Sequence, residues 1–149
     1  MKSLFDSNTQ QEVLQRIEQL NAGKPPVWGK MSVIQMLRHS QQPLQVANGR
    51  LALQQPNAVK RFAFGLFKST LYNDKPWRKS LPTAKEYIVR DTEDFDTEKQ
   101  RLIADLSEFE KKSTNLHWPK HPAFGKFTTD QWGKMQYKHI DHHLRQFGV

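Results

Sequence analysis

The chain contains six histidines and no cysteine, which excludes disulfides, iron–sulfur clusters and thiolate zinc sites. Two of the histidines, His139 and His143, stand one helical turn apart. At 100° per residue they share a stripe with Trp132, Met135 and Gln146. Tyr137, Ile140, Leu144 and Phe147 widen that stripe into an inner face, while Lys134, Lys138, Asp141 and Arg145 are expected on the solvated side, with His142 on the border. Two imidazoles at this spacing can share one metal ion.

A metal held by two ligands needs a third. His39 lies on the flank of another helical stripe, with Gln35 and Gln42 beside it. Three neutral imidazoles suit Zn²⁺, Ni²⁺, Fe²⁺ or Cu²⁺, and the sequence does not choose among them. Three protein ligands leave positions open for water or substrate, as a catalytic centre requires. The plainer alternative is that these are hydrogen-bonded, partly buried histidines or surface ones. Position 140 is Ile, so the His-Glu-x-x-His pattern and its built-in general base are absent. A zinc-protease reading falls on that residue.

A short echo links the two regions. Trp28-Gly29-Lys30-Met31 recurs as Trp132-Gly133-Lys134-Met135, and His39 follows the first as His143 follows the second. If the echo reflects equivalent helix docking, Gln35 overlays His139 and faces the site.

Five segments carry the helical period that must position these groups. The first has Val13, Leu14, Ile17 and Leu20 at helical spacing after Ser7-Asn8-Thr9, and is stopped by Asn21-Ala22-Gly23. The second opens on the capping box Ser32-Val33-Ile34-Gln35 and carries His39, with Pro43 inside it removing the amide that would bond the His39 carbonyl. The third places Val59, Phe62, Ala63, Leu66, Phe67 and Thr70 on one face, with Lys60, Arg61 and Lys68 off it. From Tyr72 to Ile88 the period fails, and Pro76 and Pro82 indicate a long ordered loop. The fourth starts acidic and turns Phe95, Leu102, Ile103, Leu106 and Phe109 inward. The last opens on Thr128-Thr129-Asp130-Gln131 and runs to about Gln146. Nothing alternates with period two, so the expectation is an all-α bundle with long connecting loops, one domain over residues 1–149.

The net charge is +8, but it is polarised. From Lys60 to Lys85 seven basic residues (60, 61, 68, 75, 78, 79 and 85) face one acid, Asp74, whereas from Asp91 to Glu110 eight acids face two bases. No nucleic-acid reader motif accompanies the charge, so nucleic acid is not an expected partner. The longest apolar run, Phe62–Phe67, is too short to span a bilayer, and no secretory leader is recognisable. A cytoplasmic protein without membrane association is expected.

The segments from Trp28 to His39 and from His139 to Phe147 together resemble the DinB-like superfamily, and more closely a small bacterial subfamily of it without assigned function. That subfamily also shows a segment similar to His121-Pro122-Ala123-Phe124-Gly125-Lys126. The resemblance implies an up-down-down-up four-helix bundle whose metal is held by one His on the second helix and an i, i+4 pair on the last, here His39, His139 and His143. It also implies metal-dependent transfer or isomerisation with low-molecular-weight thiols as one activity of such proteins. On that reading the small-molecule substrate is an anionic thiol or carboxylate steered by the segment Lys60 to Lys85. Gln35, His142 or His121 would then orient or protonate the second substrate. The other reading is a non-catalytic metal- or ligand-binding module, dimeric through an exposed helix face.

Overall fold

The helices of the protein begin where side chains can satisfy free backbone amides. In the computed structural model, which describes residues 1–81 and 87–149, there are five α-helices and no strand among the described residues. They are α1 (Ser7–Glu18), α2 (Val33–Ala47), α3 (Ala58–Phe67), α4 (Phe95–Glu110) and α5 (Thr129–Gln146), with a 3-10 turn at Lys68–Leu71. Pro82 of the expected loop and Lys85 of the basic segment lie outside the described residues.

Both helices that carry candidate ligands start with a reciprocal cap. Ser32 Oγ accepts from Gln35 N at 3.2 Å, and Gln35 Oε1 accepts from Ser32 N at 3.0 Å. Thr128 and Gln131 repeat the arrangement at the head of α5, at 3.2 and 3.1 Å. Each box satisfies two otherwise unpaired amides and fixes where the helical winding begins. Asp6, Asn57 and Asp94 cap α1, α3 and α4 singly.

The core forms where α2 packs against α4 and α5, and α1 against α5. Leu37, Leu44, Leu102, Leu106, Phe109, Ile140 and Leu144 are fully buried there. Burial of each such side chain contributes about 1.5–3 kcal/mol before the cost of ordering. Polar links register the helices. Gln41 donates to the Glu98 carboxylate at 2.7 Å between α2 and α4, and Arg16 pairs with Asp141 at 2.8 Å between α1 and α5. Gln136 Nε2 reaches from α5 to the Pro43 carbonyl at 2.8 Å, so α5 is bonded to α2 at the proline.

Three features differ from what the sequence pattern alone suggests. The apolar face of α3 is not buried: Val59, Phe62, Leu66 and Phe67 are each more than 60% exposed (78%, 75%, 68% and 63%). The core is closed by the other four helices, and periodicity reports that an apolar face exists, not what covers it. Lys138 is not on a solvated side: it is buried, and its ammonium donates to the carbonyls of Thr70 and Asn73 and to Asn73 Oδ1. Its long stem carries the charge to acceptors in the loop beyond α3. The Trp-Gly-Lys-Met echo is no structural repeat, because Trp28–Met31 lies in the irregular segment before α2 whereas Trp132–Met135 lies inside α5.

Candidate metal centre

α5 brings His139 and His143 onto its inner side one turn apart, and α2 sets His39 opposite them. One ring nitrogen from each of the three lies within 4.8 Å of the others. His39 Nε2 and His139 Nε2 are 3.2 Å apart. Two imidazoles on one ion, with metal–nitrogen bonds of about 2.0–2.1 Å at a tetrahedral angle, place their nitrogens about 3.3–3.4 Å apart. The donor pair is therefore already at coordination spacing.

Hydrogen bonds behind the rings decide which nitrogen points where. His39 Nδ1 lies 3.1 Å from the Tyr87 carbonyl, which can only accept, so Nδ1 carries the proton and Nε2 presents its lone pair. Gln146 Nε2 donates to the Trp28 carbonyl at 2.9 Å, which turns its Oε1 towards His143 Nδ1 at 2.8 Å. His143 Nδ1 therefore donates, and its Nε2 is also left as a free base. Carbonyl acceptors behind metal-binding imidazoles serve this purpose, fixing tautomer and ring orientation. His139 Nδ1 is buried and has no hydrogen-bond partner.

The electrostatics favour unprotonated rings. Burial, followed by the neighbouring histidines, holds His139 well below the usual imidazole range. Burial also pushes His143 down to about 3, with His39 adding to the effect. His39 is lowered by burial as well, against the Tyr87 carbonyl. Neutral imidazole is the form that binds a metal, so the cluster needs to release no proton at neutral pH.

The three histidines stand at the edge of a cleft of about 1200 Å³. Trp28 and Trp77 form part of its wall, and the Trp77 ring lies 6.0 Å from His139 and 5.7 Å from His142. Lys79 places its ammonium 4.7 Å over the Trp28 ring. The cleft is thus largely aromatic near the histidines, and Lys30 and Lys60 are the lysines among its lining residues.

The other candidates are placed differently. His142 lines the cleft beside Trp28 and Trp77, and burial lowers its basicity. His121 also lines the cleft, outside the three-histidine group. Its Nδ1 accepts from the amides of Ala123 and Phe124 at 3.2 and 3.4 Å, leaving Nε2 as a donor, and burial together with Lys68 pushes it down to about 4. Gln35 is occupied by its capping box and does not line the cleft. His117 is exposed.

Sequence reasoning missed Trp77, although a tryptophan in a proline-bounded loop is a readable signal. It could not have found the Tyr87 carbonyl, because a backbone acceptor leaves no trace in residue type. Gln146 was on the histidine stripe, three residues after His143, and that spacing was its signal.

One protein family, DUF1569, described as a protein of unknown function, matches residues 2–148. The chain belongs to this family. The DUF1569 match covers both ligand-bearing helices and the cleft wall between them. No curated protein and no solved structure matches the chain.

Proposed function

We propose that this DUF1569 chain is a divalent-metal protein of DinB-like, up-down-down-up bundle architecture that acts on a small molecule in its cleft. The single observation that carries the reading is the convergence of His39, His139 and His143 with two of their outer nitrogens held by carbonyl oxygens. His39 and His139 turn nitrogens towards each other at a distance where two lone pairs repel unless a cation or a proton lies between them.

A divalent ion bound there supplies a Lewis acid that lowers the pKa of a thiol or water and polarises an acceptor oxygen. The chain supplies the rest. His39, His139 and His143 bind the ion, and Tyr87 and Gln146 hold two of the rings. Trp28 and Trp77 exclude water from one side of the cleft and offer aromatic faces to a ligand. His142, at their edges, is neutral and can donate or accept one hydrogen bond. His121 presents a fixed N–H donor elsewhere in the cleft. These features suit transfer or hydrolysis of a small, anionic substrate, with Lys30 and Lys60 as cations at the wall. Zinc, nickel and iron all remain compatible with three imidazoles.

The second reading is a ligand-binding module without turnover. What favours it is that the 3.2 Å separation also accommodates an N–H···N hydrogen bond between His139 and His39 with no metal between them. Elemental analysis of tag-free protein separates the two. About one equivalent of zinc, nickel or iron supports the metal centre, and a thiol-transfer and ester-hydrolysis panel then tests turnover. Protein that is metal-free and refuses added metal overturns it.

A further inference from the structure

Helix α3 is laid with its apolar half outward. On a helical wheel Ala58, Val59, Phe62, Ala63, Leu66 and Phe67 fill one half-turn. No residue of α3 is buried; Val59, Phe62, Leu66 and Phe67 on this half are its most exposed large apolar side chains, and Phe64 on the other half is exposed to a smaller extent, 39%. On the other half, Lys60 and Phe64 face the cleft, and Phe64 packs 5.6 Å from Phe124. The helix is therefore a wall with the cleft on one side and uncovered hydrocarbon on the other. An apolar patch of this kind on a soluble surface marks an interaction site.

The charges around it select the occupant. There is no acid between residues 51 and 73; Lys60 and Arg61 are exposed on the helix, while Lys68, just after it, turns its ammonium to the Lys126 carbonyl and the Phe127 ring. Exposed Lys75, Arg78 and Lys79 follow in the next loop, where the single acid, Asp74, is paired with the Met1 ammonium. Pairing α3 with a second copy would bring together two chains that each carry a net charge of +8 and flank this helix with basic residues. An anionic lipid surface accepts both features at once: the apolar half enters the acyl boundary and the cations meet the headgroups.

We propose that α3 docks the protein onto anionic membrane surfaces, lying in the interface without spanning it. None of the described helices is long and apolar enough to cross a membrane, so the association is peripheral. This departs from the expectation of no membrane contact, which rested on the length of apolar runs and not on their exposure. The inference is independent of the metal.

The test is sedimentation of the full, tag-free chain with vesicles of phosphatidylcholine alone and of phosphatidylcholine with phosphatidylglycerol. Binding is expected to the anionic vesicles only, and to weaken as salt shortens the range of the attraction. The double variant Phe62→Ser, Leu66→Ser is expected to lower partitioning about tenfold or more, since it removes two exposed apolar groups. Its thermal midpoint stays that of the parent, because neither side chain is buried. Arg61→Gln is expected to weaken binding less, and mainly at low salt. Equal sedimentation of the parent with both vesicle types at low salt overturns the proposal, as does unaltered binding by the double variant. A concentration-dependent dimer that the double variant abolishes, with vesicles ignored, assigns the face to a second copy and also overturns it.

Discussion

His143 donates its Nδ1 proton to Gln146 Oε1 at 2.8 Å, and the same amide is held in place by its donation to the Trp28 carbonyl at 2.9 Å. The chain thus fixes the tautomer of one candidate ligand through a side chain that never reaches the metal. Gln146→Leu keeps the bulk and removes both bonds. We expect metal affinity to fall about 10- to 100-fold, the usual loss when an acceptor behind a ligand is removed. Competition against a chromophoric chelator measures it. Unchanged affinity would deny Gln146 this orienting part.

Metal should also appear as stability. A ligand that binds only the folded chain contributes about 2.7 kcal/mol at a hundredfold excess over its Kd. Added zinc or nickel is therefore expected to raise the thermal midpoint of chelator-treated protein. His139→Ala should abolish that rise while His121→Ala keeps it, because only the former belongs to the three-histidine group. A rise of equal size in both variants would place the metal elsewhere.

Acid should weaken the metal-free fold by a known sign. Burial holds His121 at about 4 and His143 at about 3 in the folded chain, against an unfolded value of about 6.5. Below pH 6.5 the unfolded chain takes up protons that the folded chain refuses. Stability is thus complete above 6.5 and is lost as pH falls towards the folded values. Each such group costs at most about 1.4 kcal/mol per pH unit in that window. Urea midpoints are expected to fall between pH 7 and pH 5, and to fall less for His121→Gln. A midpoint indifferent to pH over that range would contradict the burial of these rings.

Lys138 ties the loop after α3 to α5 through three acceptors, at 2.7, 3.0 and 2.7 Å. Lys138→Met preserves the stem and removes the donor to all three, leaving Thr70 O with the Trp77 indole alone. We expect a loss of about 1–3 kcal/mol in urea unfolding, the cost of unmade bonds at a buried group. Trp77 emission should shift with it, because Trp77 donates its indole N–H to Thr70 O, one of the same acceptors. A stable variant with unaltered emission would show the loop to be held by other means.

The fold was legible where local chemistry decides it. The capping boxes at Ser32 and Thr128 are spelled out in sequence, and they start the helices on which His39, His139 and His143 meet. The spacing of His139 and His143 predicted a shared face, and the structure brings His39 to it. What was illegible depends on distance in the chain. The outward face of α3 has the same periodicity as a buried one, and only the completed packing shows that nothing covers it. Lys138 has solvent-facing chemistry by type, yet acceptors 65 and 68 residues away bury it. The Tyr87 carbonyl behind His39 has no residue signature at all. The Trp-Gly-Lys-Met echo failed because four identical residues do not dictate one backbone path.

The two capping boxes also decide where the chain can change length. His39 stands seven residues after Ser32, and His139 eleven after Thr128, close to two and three whole turns. His39 and His139 therefore sit almost directly above their caps, and each cap sets the angular phase at which the imidazole leaves the helix. One residue inserted between cap and histidine would swing the ring by about 100° and aim it into the core or the solvent. The connection before α3 carries no such phase relation to a ligand. Insertions there should leave the three imidazoles converged, whereas a single insertion inside either cap-to-histidine interval should scatter them.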